Sequence, residues 1–314
     1  MLWPASLAFR AAVFLRRALY ALRVLKSTRT GIPVIAIGNL TVGGSGKTPL
    51  AIHVAELLQS KGWSPAIVSR GYGGSATAPR GVSLASDPAE VGDEPVLMAR
   101  RSGCPVWVGP ERAAVVAAMR LEHPEVDVVI LDDGLQHYAL RRDLEIAVVD
   151  ARGFGNGFML PAGPLREPQT RLWRVDAVIA HGTDKVKGYA MRLEGDELHR
   201  ATDARDRRPV AAFAGQRVHA VAGIGDPKRF FLHLARLGVK PVPHPFPDHH
   251  PFQARDLEFG DDAPVLMTEK DAVKCKRFAR PQHWILPVRA VPDKAFDEWL
   301  QRRLGELGHR PKAA

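Results

Sequence analysis

The sequence predicts an α/β protein: a parallel sheet with helices on both faces, a smaller C-terminal α/β unit after it and an N-terminal amphipathic helix before it. Three observations carry this expectation. Continuous apolar, β-rich runs alternate with helical patterns up to about residue 181, as in a sheet buried on both sides. The texture then changes, with a charged stretch from Asp203 to Arg208 that reads as a connector or exposed hairpin before a second, shorter α/β series. The first 26 residues set an apolar stripe beside several cations. A chain of 314 residues has room for two cores. The expected units are 1–28 for the amphipathic helix, 29–200 for the larger sheet and 201–314 for the smaller, joined by a short linker.

In the first unit, Leu7, Ala11, Phe14, Leu15, Ala18, Leu22 and Leu25 recur at helical spacing between about Ser6 and Lys26, with Arg10, Arg16, Arg17, Arg23 and Lys26 on the remaining arc. A spanning helix would carry four arginines into hydrocarbon at roughly 2.5 kcal/mol or more each, which argues against a transmembrane segment. The same arginines interrupt the apolar stretch and argue against a secretory signal. Two readings stay open at this point: the stripe lies in a membrane interface, or it packs on the protein's own core.

In the second unit, Ile32 to Gly38 reads as a strand, followed by a glycine-rich turn and a helix from Pro49 to Lys61. Further strands are expected at Pro65 to Ser69, Pro105 to Val108, Asp127 to Leu131, Glu145 to Val149 and Asp176 to His181, with a helix over Arg112 to Leu121. The third unit reads as strands at Val218 to Ala222, Val265 to Thr268 and Trp284 to Val288, with helices at Pro227 to Leu237 and Phe296 to Leu307. No internal repeat or low-complexity segment is present.

Hydrophobic residues at 46% and charged residues at 25% are ordinary globular values. The two cysteines, Cys104 and Cys275, have no metal-site spacing and exclude a disulfide framework, so both are expected as small buried hydrophobes in a reducing compartment. A formal charge of +10 calls for a polyanionic neighbour: nucleic acid, a membrane surface or a phosphorylated substrate. No nucleic-acid module or aromatic-basic platform is recognisable, and no nucleic-acid partner is expected.

The stretch Thr41, Val42, Gly43, Gly44, Ser45, Gly46, Lys47, Thr48 sits between a predicted strand and a predicted helix, the context that gives a P-loop its meaning and makes the fold P-loop NTPase-like. Glycines let backbone N–H groups converge on phosphate oxygens, the helix N-terminus adds its positive end, Lys47 reaches the β- and γ-phosphates, and the Thr48 hydroxyl ligates Mg²⁺. Thr41 stands where the pattern has glycine; Gly43, Gly44 and Gly46 supply the flexibility the turn needs. The apolar strand Val128 to Leu131 runs into Asp132 and Asp133, an arrangement resembling Walker B. Adjacent residues on an emerging strand point to opposite sides, so at most one of the two carboxylates serves the metal closely. Taken alone, Asp93 in Gly92-Asp93-Glu94-Pro95 reads as a helix cap, and the His249-His250 pair reads as base, ligand or neither.

Together these segments resemble the tetraacyldisaccharide 4′-kinase family over nearly the whole chain. The resemblance rests on I-G-N-L-T-V-G-G-S-G-K-T-P (Ile37 to Pro49), S-R-G-Y-G (Ser69 to Gly73), G-D-E-P (Gly92 to Pro95), L-D-D-G-L-Q-H (Leu131 to His137), L-P-A-G-P-L-R-E-P (Leu160 to Pro168), F-P-D-H-H (Phe246 to His250) and T-E-K-D-A-V-K (Thr268 to Lys274). It implies ATP and Mg²⁺ as cofactors and transfer of the γ-phosphoryl group to the 4′-hydroxyl of an acylated glucosamine disaccharide phosphate, giving lipid IVA in lipid A biosynthesis. It also implies work at the cytoplasmic face of the bacterial inner membrane, with the membrane surface and the lipid as partners and no protein partner expected, and so selects the membrane reading of the first helix. By the same resemblance, Asp93 accepts or orients the hydroxyl proton with His249 as its partner, Arg166 contacts the γ-phosphate, Glu167 adds a second Mg²⁺ ligand, and Ser69, Arg70 and Tyr72 face the disaccharide or its phosphate. The rival is a membrane-attached P-loop ATPase of the partition or maturation-factor type, against which stands Val42, where those proteins usually carry lysine.

Overall fold

A computed structural model describes residues 2–307; Met1 and residues 308–314, the ends of the expected first and last units, lie outside the described residues. In chain order the structure contains α1 (Trp3–Ala21), β1 (Val34–Gly38), α2 (Lys47–Ser60), β2 (Pro65–Ser69), β3 (Arg80–Val82), α3 (Pro88–Val91), α4 (Asp93–Ser102), β4 (Val106–Val108), α5 (Arg112–Glu122), β5 (Val128–Asp132), β6 (Leu144–Asp150), β7 (Ala177–His181) and β8 (Tyr189–Glu194). The smaller sheet then follows with β9 (Glu197–Arg200), β10 (Arg207–Pro209), β11 (Arg217–Ala222), α6 (Pro227–Arg236), β12 (Lys240–Pro245), β13 (Val265–Thr268), α7 (Glu269–Cys275) and β14 (His283–Leu286). The chain ends with β15 (Arg289–Pro292) and α8 (Lys294–Glu306).

The larger sheet has the order β15-β8-β7-β6-β1-β5-β2-β4-β3. It is parallel from β8 through β4 and antiparallel at its two edges. The central strands are apolar along their full length, since β1 and β5 are buried at every position, because α2, α4 and α8 cover one face and α5 the other. β1 lies between β6 and β5, so the chain order reverses across it, and the crevice beyond its C-terminal end is where such sheets bind ligands. The P-loop occupies that crevice.

The smaller sheet, β10-β9-β14-β13-β11-β12, has a parallel centre and an antiparallel hairpin at one edge. The charged stretch from Asp203 to Arg208 spans the β9–β10 turn and enters β10. At the other edge, β12 reads K-P-V-P-H-P and has no strand signature in the sequence. Its three prolines fall on alternate positions, while from the other set Lys240 donates to Gln216, just before β11, and Phe246 to Ala222 at its end, so the missing donors face away from the sheet.

The two sheets are joined twice, by Gly195-Asp196 outward and by Pro287-Val288 on return. The crossings lie against one another; a Cβ on Gly195 would stand 2.3 Å from the Pro287 carbonyl oxygen. The return differs from the expectation of one C-terminal unit over 201–314. β15 pairs with β8, and Phe296, Trp299, Leu300 and Leu304 of α8 complete the core of the larger sheet beside α2. The Tyr189 ring of β8 packs against Phe296 and Trp299, and His53 of α2 meets Asp297 at 2.9 Å.

Of the helix α1, Ser6 alone is fully buried, its hydroxyl donating to the Met159 carbonyl. Phe9 and Val13 pack against Leu40, Met159 and Leu165. The stripe read from the sequence points elsewhere: Leu7, Phe14, Leu15, Leu22 and Leu25 are exposed, Phe14 and Leu22 at 74% each. No helix among the described residues is long and apolar enough to cross a membrane.

Candidate active site

Gly46 forms the left-handed cap of α2 (φ 92°), and Gly43 is also left-handed (φ 89°), which turns the loop back over the helix N-terminus. Asn39, the residue after β1, props this turn: its amide donates to the Ser45 hydroxyl at 3.0 Å and the Gly43 carbonyl at 3.3 Å. The start of the loop is strapped to a second segment, with Val42 donating to Pro164 and Arg166 to Leu40 through their backbone N–H groups. Arg152, held by Asp150, donates to the Gly44 carbonyl at 2.8 Å. His181, at the end of β7, donates from Nδ1 to the Ser45 carbonyl at 3.1 Å and accepts from Arg229 of α6 at Nε2.

Within this frame the charged groups sort themselves. Lys47 lies 3.4 Å from Asp133 and donates to Asn39 at 3.2 Å. Arg166 grips Asp133 with both nitrogens, at 2.8 and 3.1 Å, and also donates to the Thr41 carbonyl at 3.2 Å and to Asn39. Burial would raise the Asp133 carboxyl, but Lys47 and Arg166 outweigh it and hold the group down at about 2. Asp132 has the opposite character: it is 1% exposed, and burial, then the charge of Glu94, pushes it up to about 7. One of its oxygens has no hydrogen-bond partner. Glu167 accepts from the Tyr138 hydroxyl at 2.5 Å and lies 3.3 Å from Arg171.

Asp132, Asp133 and Glu167 therefore do not converge as a carboxylate cage. Among the described residues no three His, Cys, Asp or Glu side chains are grouped to hold a metal. The donor set nonetheless fits a Mg²⁺ that takes most of its ligands from phosphates and water, with the unpartnered Asp132 oxygen and the Thr48 hydroxyl as protein ligands.

Asp93 is the first residue of α4, and the left-handed Gly92 (φ 93°) precedes it. Its Oδ1 accepts from the N–H of Glu94, the next residue of the helix, at 2.8 Å. His249 Nδ1 donates to both Asp93 oxygens at 3.1 Å, and His250 turns away to Asp256 at 3.0 Å. His249 is one of three non-glycine residues with positive φ (59°) among those described, a strained conformation that aims its ring. The exposed Tyr72 ring packs over it at 4.9 Å between centroids. The hydrogen bond to Asp93 raises the His249 pKa against the effect of burial. Burial would raise Asp93, but that hydrogen bond and the charges of Lys270, His249 and Lys274 carry it below its ordinary value.

The two halves of the site lie close together. Gly225 sits between them: a Cβ there would stand 3.1 Å from the Gly44 nitrogen of the P-loop and 3.4 Å from the Asp248 carboxylate beside His249. The Gly223-Ile224-Gly225 turn, too short to read as a second nucleotide site, is thus the point where the smaller sheet approaches the P-loop.

With this geometry in view, known relatives can be compared. The family model described as Tetraacyldisaccharide-1-P 4′-kinase matches residues 1–305. The chain belongs to that family. A tetraacyldisaccharide 4′-kinase of Azoarcus sp. (strain BH72) is 50% identical over 311 residues, covering 97% of this chain and 91% of the relative. One from Methylobacillus flagellatus is 48% identical over 309 residues, covering 98% and 92%. Among solved structures, the "apo" form of LpxK from Aquifex aeolicus in complex with ATP superposes with a TM-score of 0.79 at 30% identity, covering 96% of this chain and 98% of that one. These family relatives do not favour the partition-type ATPase.

Several residues of the site carry no signal in isolation. Asn39 and Arg152 are ordinary polar residues until the turn they support is seen. Arg112 is 5% exposed and feels the charges of Arg70, Asp133 and Asp132 together. Burial and the cations Arg112, Arg16, Arg142 and Arg70 depress His137 to about 4. Its place in L-D-D-G-L-Q-H was the one available hint. Lys270 and Lys274 stand in T-E-K-D-A-V-K and reach Asp93 only through the fold.

Proposed function

We propose that this chain transfers the γ-phosphoryl group of ATP to the 4′-hydroxyl of an acylated glucosamine disaccharide phosphate at a membrane surface. The observation that carries this reading is the placement of the Asp93–His249 pair across a single glycine turn from the P-loop. One side can hold a triphosphate, and the other offers a base to an incoming hydroxyl.

Lys47 and Arg166 share the Asp133 carboxylate, and the γ-phosphate competes for the same two cations, so binding exchanges one anion for another without leaving either cation bare. Bound Mg²⁺, held by Thr48 and Asp132 with Glu167 as the further candidate, would neutralise charge on the phosphate oxygens. Asp93 accepts the hydroxyl proton as the acceptor oxygen attacks, and His249 fixes the carboxylate through its Nδ1–H.

The acceptor's setting follows from the N-terminal helix. Between α1 and the larger sheet runs a groove of about 1140 Å³, with Arg17, Arg23, Arg141 and Arg174 among its cations and Phe14 and Trp173 on its apolar walls. A substrate with phosphate and acyl chains matches that mixture, and the exposed α1 stripe matches the interface in which such a substrate resides. After α1 the chain rejoins the body at Thr28, whose N–H donates to the Ala139 carbonyl. Removing the residues before Thr28 is expected to shift the protein from membrane pellet to supernatant in sedimentation while ATP binding persists; a truncated protein that still pellets with membranes contradicts the assignment of α1.

The test of the function is direct. Purified protein in detergent with ATP, Mg²⁺ and the acylated disaccharide 1-phosphate should add one phosphate at the 4′ position, seen by mass and by ³¹P NMR. ATP hydrolysis at the same rate with and without the lipid, and no phosphorylated lipid, contradicts it.

A further inference from the structure

Asp93 does not meet His249 alone. Helix α7 of the smaller sheet packs against α4 of the larger one and brings two lysines, one turn apart, to this pair. Lys270 donates to Glu94 at 3.0 Å and Asp248 at 3.1 Å, and stands 3.4 Å from His249 Nε2. Lys274 is 10% exposed; its ammonium lies 3.5 Å from Asp93 Oδ2 and 3.0 Å from Asp271 Oδ1, with the Phe252 ring 5.1 Å away. It makes no hydrogen bond of good geometry, so its position is set by these two carboxylates.

Asp271 is itself locked. It is fully buried, and its Oδ2 accepts from the Gly223 N–H at 3.0 Å and the Thr268 hydroxyl at 2.6 Å, which leaves Oδ1 turned to Lys274. Gly223 begins the turn that approaches the P-loop. A chain of contacts therefore runs from that turn through Asp271 and Lys274 to Asp93. A buried ammonium is costly to desolvate, and an ion pair between Lys274 and Asp271 within α7 would be available at lower cost on a solvated face. The contact with Asp93 distinguishes this arrangement.

We propose that Lys274 is a positioning residue for phosphoryl transfer: held by Asp271, its ammonium fixes the Asp93 carboxylate from the smaller sheet, so that the base is set only when α7 is docked on α4. This rests on the reading of Asp93 as the proton acceptor. Lys274 meets the carboxylate of Asp93 and acts through it. Removing the cation makes the Asp93–His249 pair hold a proton more tightly, and the pair titrates as a unit.

The experiment measures kcat, both KM values and the pH dependence of kcat/KM for Lys274→Gln, Lys274→Arg and Asp271→Asn beside the unaltered enzyme and Asp93→Asn. In Lys274→Gln, kcat falls about 10- to 100-fold with the KM for ATP within about twofold, and the acid limb moves to higher pH. Lys274→Arg keeps the charge and restores most of kcat and the original limb. Asp271→Asn removes a negative charge from the same cluster and moves the limb to lower pH, a second readout should the glutamine variant fail to fold. A lower melting temperature with unchanged kcat and unshifted limbs marks Lys274 as structural and overturns the proposal. If Asp93→Asn is inactive while Lys274→Gln behaves as the unaltered enzyme, the role of Lys274 fails alone; if Asp93→Asn also turns over normally, the reading of the base fails first.

Discussion

Replacing Lys47 by alanine is expected to lower kcat by about 10²- to 10³-fold or more, the range for removing one preorganised charge from a developing phosphoryl transition state. The effect has two parts. The ammonium that reaches the phosphates is lost, and Asp133 loses one of the two cations that hold it ionised. Arg166 remains bidentate on Asp133, so the variant should fold and its melting temperature should change little. Binding of an ATP analogue, followed by calorimetry, should weaken with the turnover. A Lys47→Ala enzyme with near-normal kcat would mean that the loop does not address the transferred phosphate.

Asp93→Asn is expected to cost about 10²- to 10⁴-fold in kcat, the range of a positioned general base, while leaving the KM for ATP nearly unchanged. Asparagine keeps the shape and an acceptor for the His249 Nδ1–H but cannot take a proton. The variant also carries a prediction independent of activity. The hydrogen bond and charge of Asp93 raise the His249 pKa above the ordinary value of about 6.5, so in Asp93→Asn the His249 resonances should titrate at lower pH by NMR. In the unaltered enzyme a protonated His249 weakens Asp93 as a base, so kcat/KM rises with pH through the raised His249 value. An asparagine variant with normal turnover, or an unmoved His249 titration, contradicts the pairing.

Much of the larger sheet was legible because parallel strands buried on both faces leave continuous apolar runs; β2 and β13 fall on the expected bounds. The P-loop was legible because its glycines and Lys47 answer to local backbone geometry. Edge elements were not. β3 and β15 are short, and β12 carries three prolines that only an edge position tolerates. The path of the C-terminus was also hidden, since nothing local in α8 says which of two cores its stripe will cover. At the site, the sequence left Asp132 and Asp133 equivalent; the fold separates them, because one is buried without a full set of partners and the other lies between two cations. The choice between His249 and His250 depended on a contact to Asp93 across 156 residues. Lys270 meets Glu94 across 176. Such pairs have no local pattern to betray them, and the motifs that contain them mark importance without assigning a partner.

The central claim is that the phosphates held by Lys47 and the pair Asp93–His249 address the same reacting group. A crystal structure with a non-hydrolysable ATP analogue and Mg²⁺ tests it most directly. The account predicts the γ-phosphate on Lys47 and Arg166, the metal on Thr48 and Asp132, and the Asp93 carboxylate facing the γ-phosphorus from the side opposite the leaving oxygen. A γ-phosphate in the P-loop with Asp93 and His249 turned away from it, and no path for an acceptor hydroxyl between them, would contradict it.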